Sequence, residues 1–124
     1  MQHMLSGHPA ALKITAAPKL EAPWMMAGAA TNTAFAGPWG VSFAINLTPD
    51  KVSGMGAWDQ ARFIKAMRTG KHFGEAGPIL PPMPWRDLAN MTDDDLKAVW
   101  AYLQSIPPVK NEVPAALSPA AQAP

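Results

Sequence analysis

The sequence predicts an all-α fold made of few helices and much irregular chain. Three observations lead there. Two stretches, Asp59–Thr69 and Thr92–Ser105, carry helical periodicity with recognisable caps. Residues 1–57 sustain neither a 3.6-residue nor a 2.0-residue period. Fourteen prolines and nine glycines in 124 residues break up what remains.

The first helix starts at Asp59, whose side chain can accept from the free N–H groups of the first turn, and stops at Gly70, the residue type that best tolerates the left-handed C-cap. Ala61, Ile64 and Met67, with Phe63 beside them, form its apolar face, while Arg62, Lys65 and Arg68 lie mostly off it. Trp85–Asn90 permits a single helical turn. The second long helix opens on Thr92, with Asp95 in the capping-box position and Asp93 and Asp94 favouring the positive end of the dipole. Leu96, Val99, Trp100 and Leu103 form its stripe, and Pro107-Pro108 ends it.

Upstream, Ala10–Lys13 permits a short helix, Thr33–Ile45 a brief extended segment, and Asn46–Asp50 a turn. The expected organisation is an irregular segment over 1–36, a domain over 37–109, and a disordered Ala/Pro-rich tail over 110–124.

Net charge is +1, charged residues make up 15% of the chain, and no basic run occurs. Neither nucleic acid nor a membrane surface is therefore expected as a partner. The absence of cysteine excludes disulfides, thiol catalysis, cysteine-ligated zinc and any thioether-linked cofactor. No apolar run approaches the ~20 residues of a membrane span. Met1–Pro9 shows no basic region followed by an apolar one, so no secretory signal is visible.

The most constrained stretch is Gly77-Pro78-Ile79-Leu80-Pro81-Pro82-Met83-Pro84-Trp85. Each proline fixes its own φ and biases the preceding residue toward extended backbone, so Met83 rides on stiff chain. A thioether on such a mount suits haem iron or Cu(I). The plainer alternative is that Met83 fills a core gap beside Trp85. Copper is disfavoured because the methionines are scattered, with only Met25-Met26 adjacent.

Five blocks now stand in order: Asn46-Leu47-Thr48-Pro49-Asp50; Gly54-Met55-Gly56-Ala57-Trp58; Phe63-Ile64-Lys65-Ala66-Met67-Arg68-Thr69-Gly70; Leu80-Pro81-Pro82-Met83-Pro84-Trp85; and Met91–Leu96 running on through Ala101–Val109. That succession resembles the C-terminal two-thirds of a bacterial class I c-type cytochrome domain, over roughly Gly37 to Val109. The nearest relatives are expected among periplasmic mono- and dihaem cytochromes and the cytochrome subunits of membrane-bound dehydrogenases.

The resemblance implies a class I cytochrome c-like fold and one-electron transfer, with haem c as cofactor and a dehydrogenase or oxidase as redox partner. It implies a periplasmic location and no enzymatic activity of the chain's own. It makes Met83 the distal axial ligand of the iron, with Ile64, Met67 and Leu80 lining the haem pocket.

The departure is that the family attaches haem through C-x-x-C-H, and this sequence has no cysteine. The chain therefore looks like an incomplete cytochrome whose proximal helix, tether and export signal would precede Met1. A haem-free binding or scaffold fragment, or a non-functional truncation, is the competing reading. In either case the stripe Leu96, Val99, Trp100, Leu103 would lack its family partner and stand exposed, covered by residues 1–36, or buried against a second chain.

The remaining candidates have plainer explanations. His72 and His8 are expected at the surface, His8 being the better geometric substitute for a proximal ligand, and His3 belongs to the terminus. Asp93-Asp94-Asp95 is explained by helix capping, since consecutive helical residues point apart. No catalytic triad, phosphate-cradling loop or basic aromatic patch is present.

Overall fold

The computed structural model describes residues 3–71 and 78–119. In chain order its elements are β1 (Ala27–Gly28), β2 (Ala34–Gly37), β3 (Gly40–Phe43), α1 (Gln60–Thr69), α2 (Trp85–Leu88) and α3 (Asp93–Ser105). The strands form one antiparallel sheet in the order β1-β2-β3. The fold is therefore mixed, a three-stranded sheet beside three helices, which corrects the all-α expectation.

The correction has a local cause. The strands are two to four residues long, too short to establish a period, and Ala and Gly, weak strand formers, fill more than half of their positions. What sets them is the turn Pro38-Trp39 between Gly37 and Gly40, which pair across it. Both turn residues keep negative φ, so Gly40 at φ 106° makes the reversal that returns the strand. A Cβ on Gly40 would also stand 1.9 Å from the carbonyl oxygen of Leu117. That approach is the end of the chain joining the sheet: Val41 and Leu117 exchange both backbone hydrogen bonds, each 2.9 Å. Ala34, Ala36, Val41 and Phe43 are the buried centre of this half.

The helix boundaries follow the sequence closely, although on α1 Ala61 is exposed and Ala66 is buried in its place. Asp59 accepts from the Arg62 N–H at 2.8 Å. Gly70, at φ 69°, closes α1 by donating to the Ala66 carbonyl. Thr92 accepts from the Asp95 N–H at 3.1 Å and opens α3. Phe63, Ala66 and Met67 of α1 pack with Met55, Leu96, Leu103 and Ile106 into the larger core. The α3 stripe is thereby divided. Leu96 (1% exposed) and Leu103 are buried among residues of α1, Met55 and Ile106, while Val99 remains 38% exposed. Trp100 packs at the edge, its ring 5.5 Å from that of Phe63.

Arg68 fixes the helices relative to one another. Its guanidinium donates to the Ala89 carbonyl, to the Met91 carbonyl at 2.7 Å, and to Asp93 Oδ1 at 2.7 Å. One side chain of α1 thus holds the end of α2 and the start of α3.

Two side-chain amides join the halves. Asn46, buried, donates to the Val109 carbonyl at 2.8 Å and accepts from the Thr48 N–H and hydroxyl at 3.0 and 2.7 Å. Asn111 donates to the carbonyls of Ser6 and His8 at 2.8 and 2.9 Å and accepts from the Ala10 N–H at 2.9 Å. His8 is fully buried, against the surface position expected for it. Its backbone N–H bonds the Ala44 carbonyl and its ring lies 4.8 Å from that of Phe43.

Two carboxylates are held in their charged form by neighbouring donors. The Ser53 hydroxyl and N–H hold Asp50 below the usual carboxylate range, and the Arg68 guanidinium does the same for Asp93. A group with a lowered folded pKa contributes fully above its unfolded value, 3.8 for both, and that contribution is lost as pH falls through the folded value. The urea midpoint is accordingly expected to decline below that range, and to decline less in the double variant Asp50→Asn/Asp93→Asn. Equal acid sensitivity of the two proteins would contradict this assignment.

Candidate functional site

The Met83 loop leaves α1 at its C-cap and is tied back to the fold at three points. The Ile79 N–H donates to the Gly70 carbonyl at 2.7 Å, and Lys71 and Pro78 form an antiparallel bridge beside it. In the middle, the Ser42 hydroxyl of β3 donates to the Pro81 carbonyl at 2.6 Å. Beyond Met83, the Trp85 indole lies so close over Gly70 that a Cβ there would stand 2.3 Å from the ring. Between these ties the Met83 N–H turns back to the Leu80 carbonyl at 3.3 Å, and the Trp85 N–H bonds the Met83 carbonyl at 2.9 Å. The Pro81–Pro82 peptide bond is cis.

Exposure alone does not single out Met83, because Met25 (75%) and Met26 (46%) are more exposed than its 41%. The distinction is the mount. Met83 lies between Pro82 and Pro84 on a loop fixed from α1, β3 and α2, with its side chain partly open to solvent. Met55 and Met67 are buried in the core.

The four residues singled out from sequence fall into two pairs. Leu80, half-buried, and Met83 share one backbone turn. Ile64 and Met67 sit one turn apart on α1, Met67 inside the core and Ile64 partly buried against it. Ile79, the neighbour of Leu80, packs against the same core as Ile64 and Met67.

Of the donors that a haem iron accepts, this loop carries one, the Met83 thioether. A thioether on a stiff, open loop has the right softness for haem iron. The opposite side is not supplied by His8. Its Nε2, 2.8 Å from the Leu12 carbonyl oxygen, donates there, and its Nδ1 is engaged with the Thr33 hydroxyl at 2.9 Å. His72 lies outside the described residues. Among the described residues no group of three His, Cys, Asp or Glu could hold a metal ion. No residue of this sequence can form the thioether attachments of haem c. Among the described residues no helix is long and apolar enough to cross a membrane.

Sequence reasoning missed Trp39, Ser42 and Gly70 as parts of this seat. Gly37-Pro38-Trp39-Gly40 does carry a turn signal, and Gly70 is legible as a helix stop. Nothing local tells which distant carbonyl Ser42 reaches.

No protein-family model matches the chain. Curated relatives do. The chain is 38% identical over 78 residues to a nicotinate dehydrogenase subunit of Pseudomonas putida, an alignment covering 63% of this chain and 6% of that protein. It is 32% identical over 80 residues to the cytochrome c subunit of the quinone-type alcohol dehydrogenase of Gluconobacter oxydans, covering 62% and 16%. It is 38% identical over 74 residues to the gluconate 2-dehydrogenase cytochrome c subunit of Pantoea cypripedii, covering 58% and 16%. The chain thus spans 6 to 16% of the length of these relatives. Over the aligned part, it is a homologue of the cytochrome c subunits of dehydrogenases.

Proposed function

We propose that this chain serves one-electron transfer as part of a dehydrogenase-linked cytochrome, with Met83 as the sulfur ligand of haem c iron. The observation that carries the reading is Met83 itself: it lies on a proline-stiffened loop tied down at Ile79, Pro81 and Trp85, and it is left 41% exposed. The names of the relatives, cytochrome c subunits of dehydrogenases, support the electron-transfer part of the reading.

When bound, the haem supplies the redox chemistry, and a thioether ligand raises its potential by favouring the ferrous state. The chain's own residues do the rest. Met83 offers the sulfur lone pair, and Leu80, Ile64 and Met67 are the residues proposed to line the haem pocket. The segment 37–109 is the part proposed to face the haem. The electron partner is a dehydrogenase or an oxidase, and the compartment is the periplasm. The chain itself carries electrons rather than transforming substrate. The attaching cysteines and the second axial ligand are not supplied by the residues described above.

In a haem-bearing protein containing this sequence, Met83→Ala is expected to abolish the weak near-infrared sulfur-to-ferric-iron band and to lower the reduction potential. Met67→Leu should do neither. A band that survives Met83→Ala would assign the ligand to another residue. A parent protein without any haem spectrum would favour the second reading, a haem-free scaffold module, for which the engaged ring nitrogens of His8 and the lack of cysteine speak.

A further inference from the structure

The hairpin of β2 and β3 ends in a hydrogen-bond relay aimed at the Met83 loop. Trp39 folds back over the turn, its ring occupying the space that a Cβ on Gly37 would need, 2.3 Å from the nearest ring atom. That fold-back delivers Trp39 Nε1 to Ser42 Oγ at 3.1 Å. An indole nitrogen only donates, so the Ser42 oxygen accepts this bond and its single proton must go elsewhere. Two carbonyls are in reach, Pro81 at 2.6 Å and Phe35 at 3.4 Å, and the shorter bond takes it. Trp39 therefore sets the hydroxyl rotor, and Ser42, itself buried, grips the Pro81 carbonyl. Beyond that carbonyl only Pro82 precedes Met83, and its φ is locked by the ring. Few backbone torsions separate the grip from the Met83 Cα.

We infer that Ser42, oriented by Trp39, is a positioning residue that fixes the direction in which Met83 presents its sulfur. Its functional meaning rests on the reading of Met83 as an iron ligand. Its first test uses no iron, so the two can fail separately.

In the chain alone, the Met83 methyl order parameter and the exchange of the Met83, Trp85, Asp87 and Leu88 amides are measured by NMR for the wild type, Ser42→Ala, Ser42→Thr and Trp39→Phe. Loss of one hydrogen bond is expected to speed exchange of the Trp85 and Leu88 amides by about five- to tenfold. Met83 methyl order should fall with it, α3 exchange should stay unchanged, and Ser42→Thr should restore the wild-type values. Trp39→Phe should show a smaller change of the same pattern. Unchanged Met83 order in Ser42→Ala, or loosening that spreads equally to α3 in both Ser42→Ala and Trp39→Phe, would overturn the inference.

The second arm uses the haem-bearing protein. Ser42→Ala should weaken the near-infrared band and Ser42→Thr should recover it, a pattern that general destabilisation does not produce. A wild-type band unaffected by Ser42→Ala would overturn the positioning role. A wild type with haem but no band would instead sink Met83 as ligand while leaving the loop measurement standing.

Discussion

Gly70→Ala is expected to destabilise the protein by about 2–4 kcal/mol, the sum of left-handed backbone strain and a collision in a packed junction. Gly70 closes α1 at φ 69°, where an L side chain crowds its own backbone. Its missing Cβ is also where the Trp85 indole lies, so alanine must push that ring aside. The effect should reach the site, because Gly70 receives the Ile79 N–H on one side of Met83 and the Trp85 ring on the other. Urea denaturation measures the total, and a double-mutant cycle with Trp85→Leu separates the parts. Only the collision should disappear in that background, leaving a coupling of about 1–3 kcal/mol. Strict additivity would show that Trp85 does not pack against Gly70.

Leu96→Ala should cost about 2–5 kcal/mol, the range for truncating a fully buried leucine into a cavity. Leu96 is among the most buried large side chains of the molecule and shares the larger core with Phe63, Met67 and Leu103. Val99→Ala, on the open side of the same helix, should fall below about 1 kcal/mol. The contrast tests how the α3 stripe divides. Equal costs at the two positions would mean that Val99 is covered by a surface beyond this chain.

The helical half is legible in the sequence because its signals are local. Asp59, Gly70 and Thr92 cap within three or four residues of themselves, and Leu96 and Leu103 repeat at helical spacing. The sheet is legible only in part: Thr33–Ile45 reads as extended and holds β2 and β3, but the strands are shorter than a detectable period and their further neighbour, Leu117, comes from far along the chain. Asn111 shows the same limit. In an Ala/Pro-rich stretch it reads as part of a tail, yet its side chain holds Ser6, His8 and Ala10, about a hundred residues away in sequence. Average behaviour places His8 at the surface, and three long-range contacts, to Ala44, Thr33 and Phe43, bury it instead. For the candidate site, residue chemistry points to Met83 from its prolines. The anchors at Ser42, Trp39 and Gly70 depend on tertiary proximity, which carries no local signature.

The central proposal is that one methionine, Met83, meets the iron. The most direct measurement is the proton NMR spectrum of the ferrous haem-bearing protein with its methionine methyls assigned one by one. An iron-bound methionine methyl lies against the face of the porphyrin and is shifted far upfield by its ring current. The resonance so displaced should be that of Met83, with Met67 and Met55 in the ordinary range. A displaced methyl belonging to any other methionine, or none displaced at all in a haem-loaded protein, would contradict it.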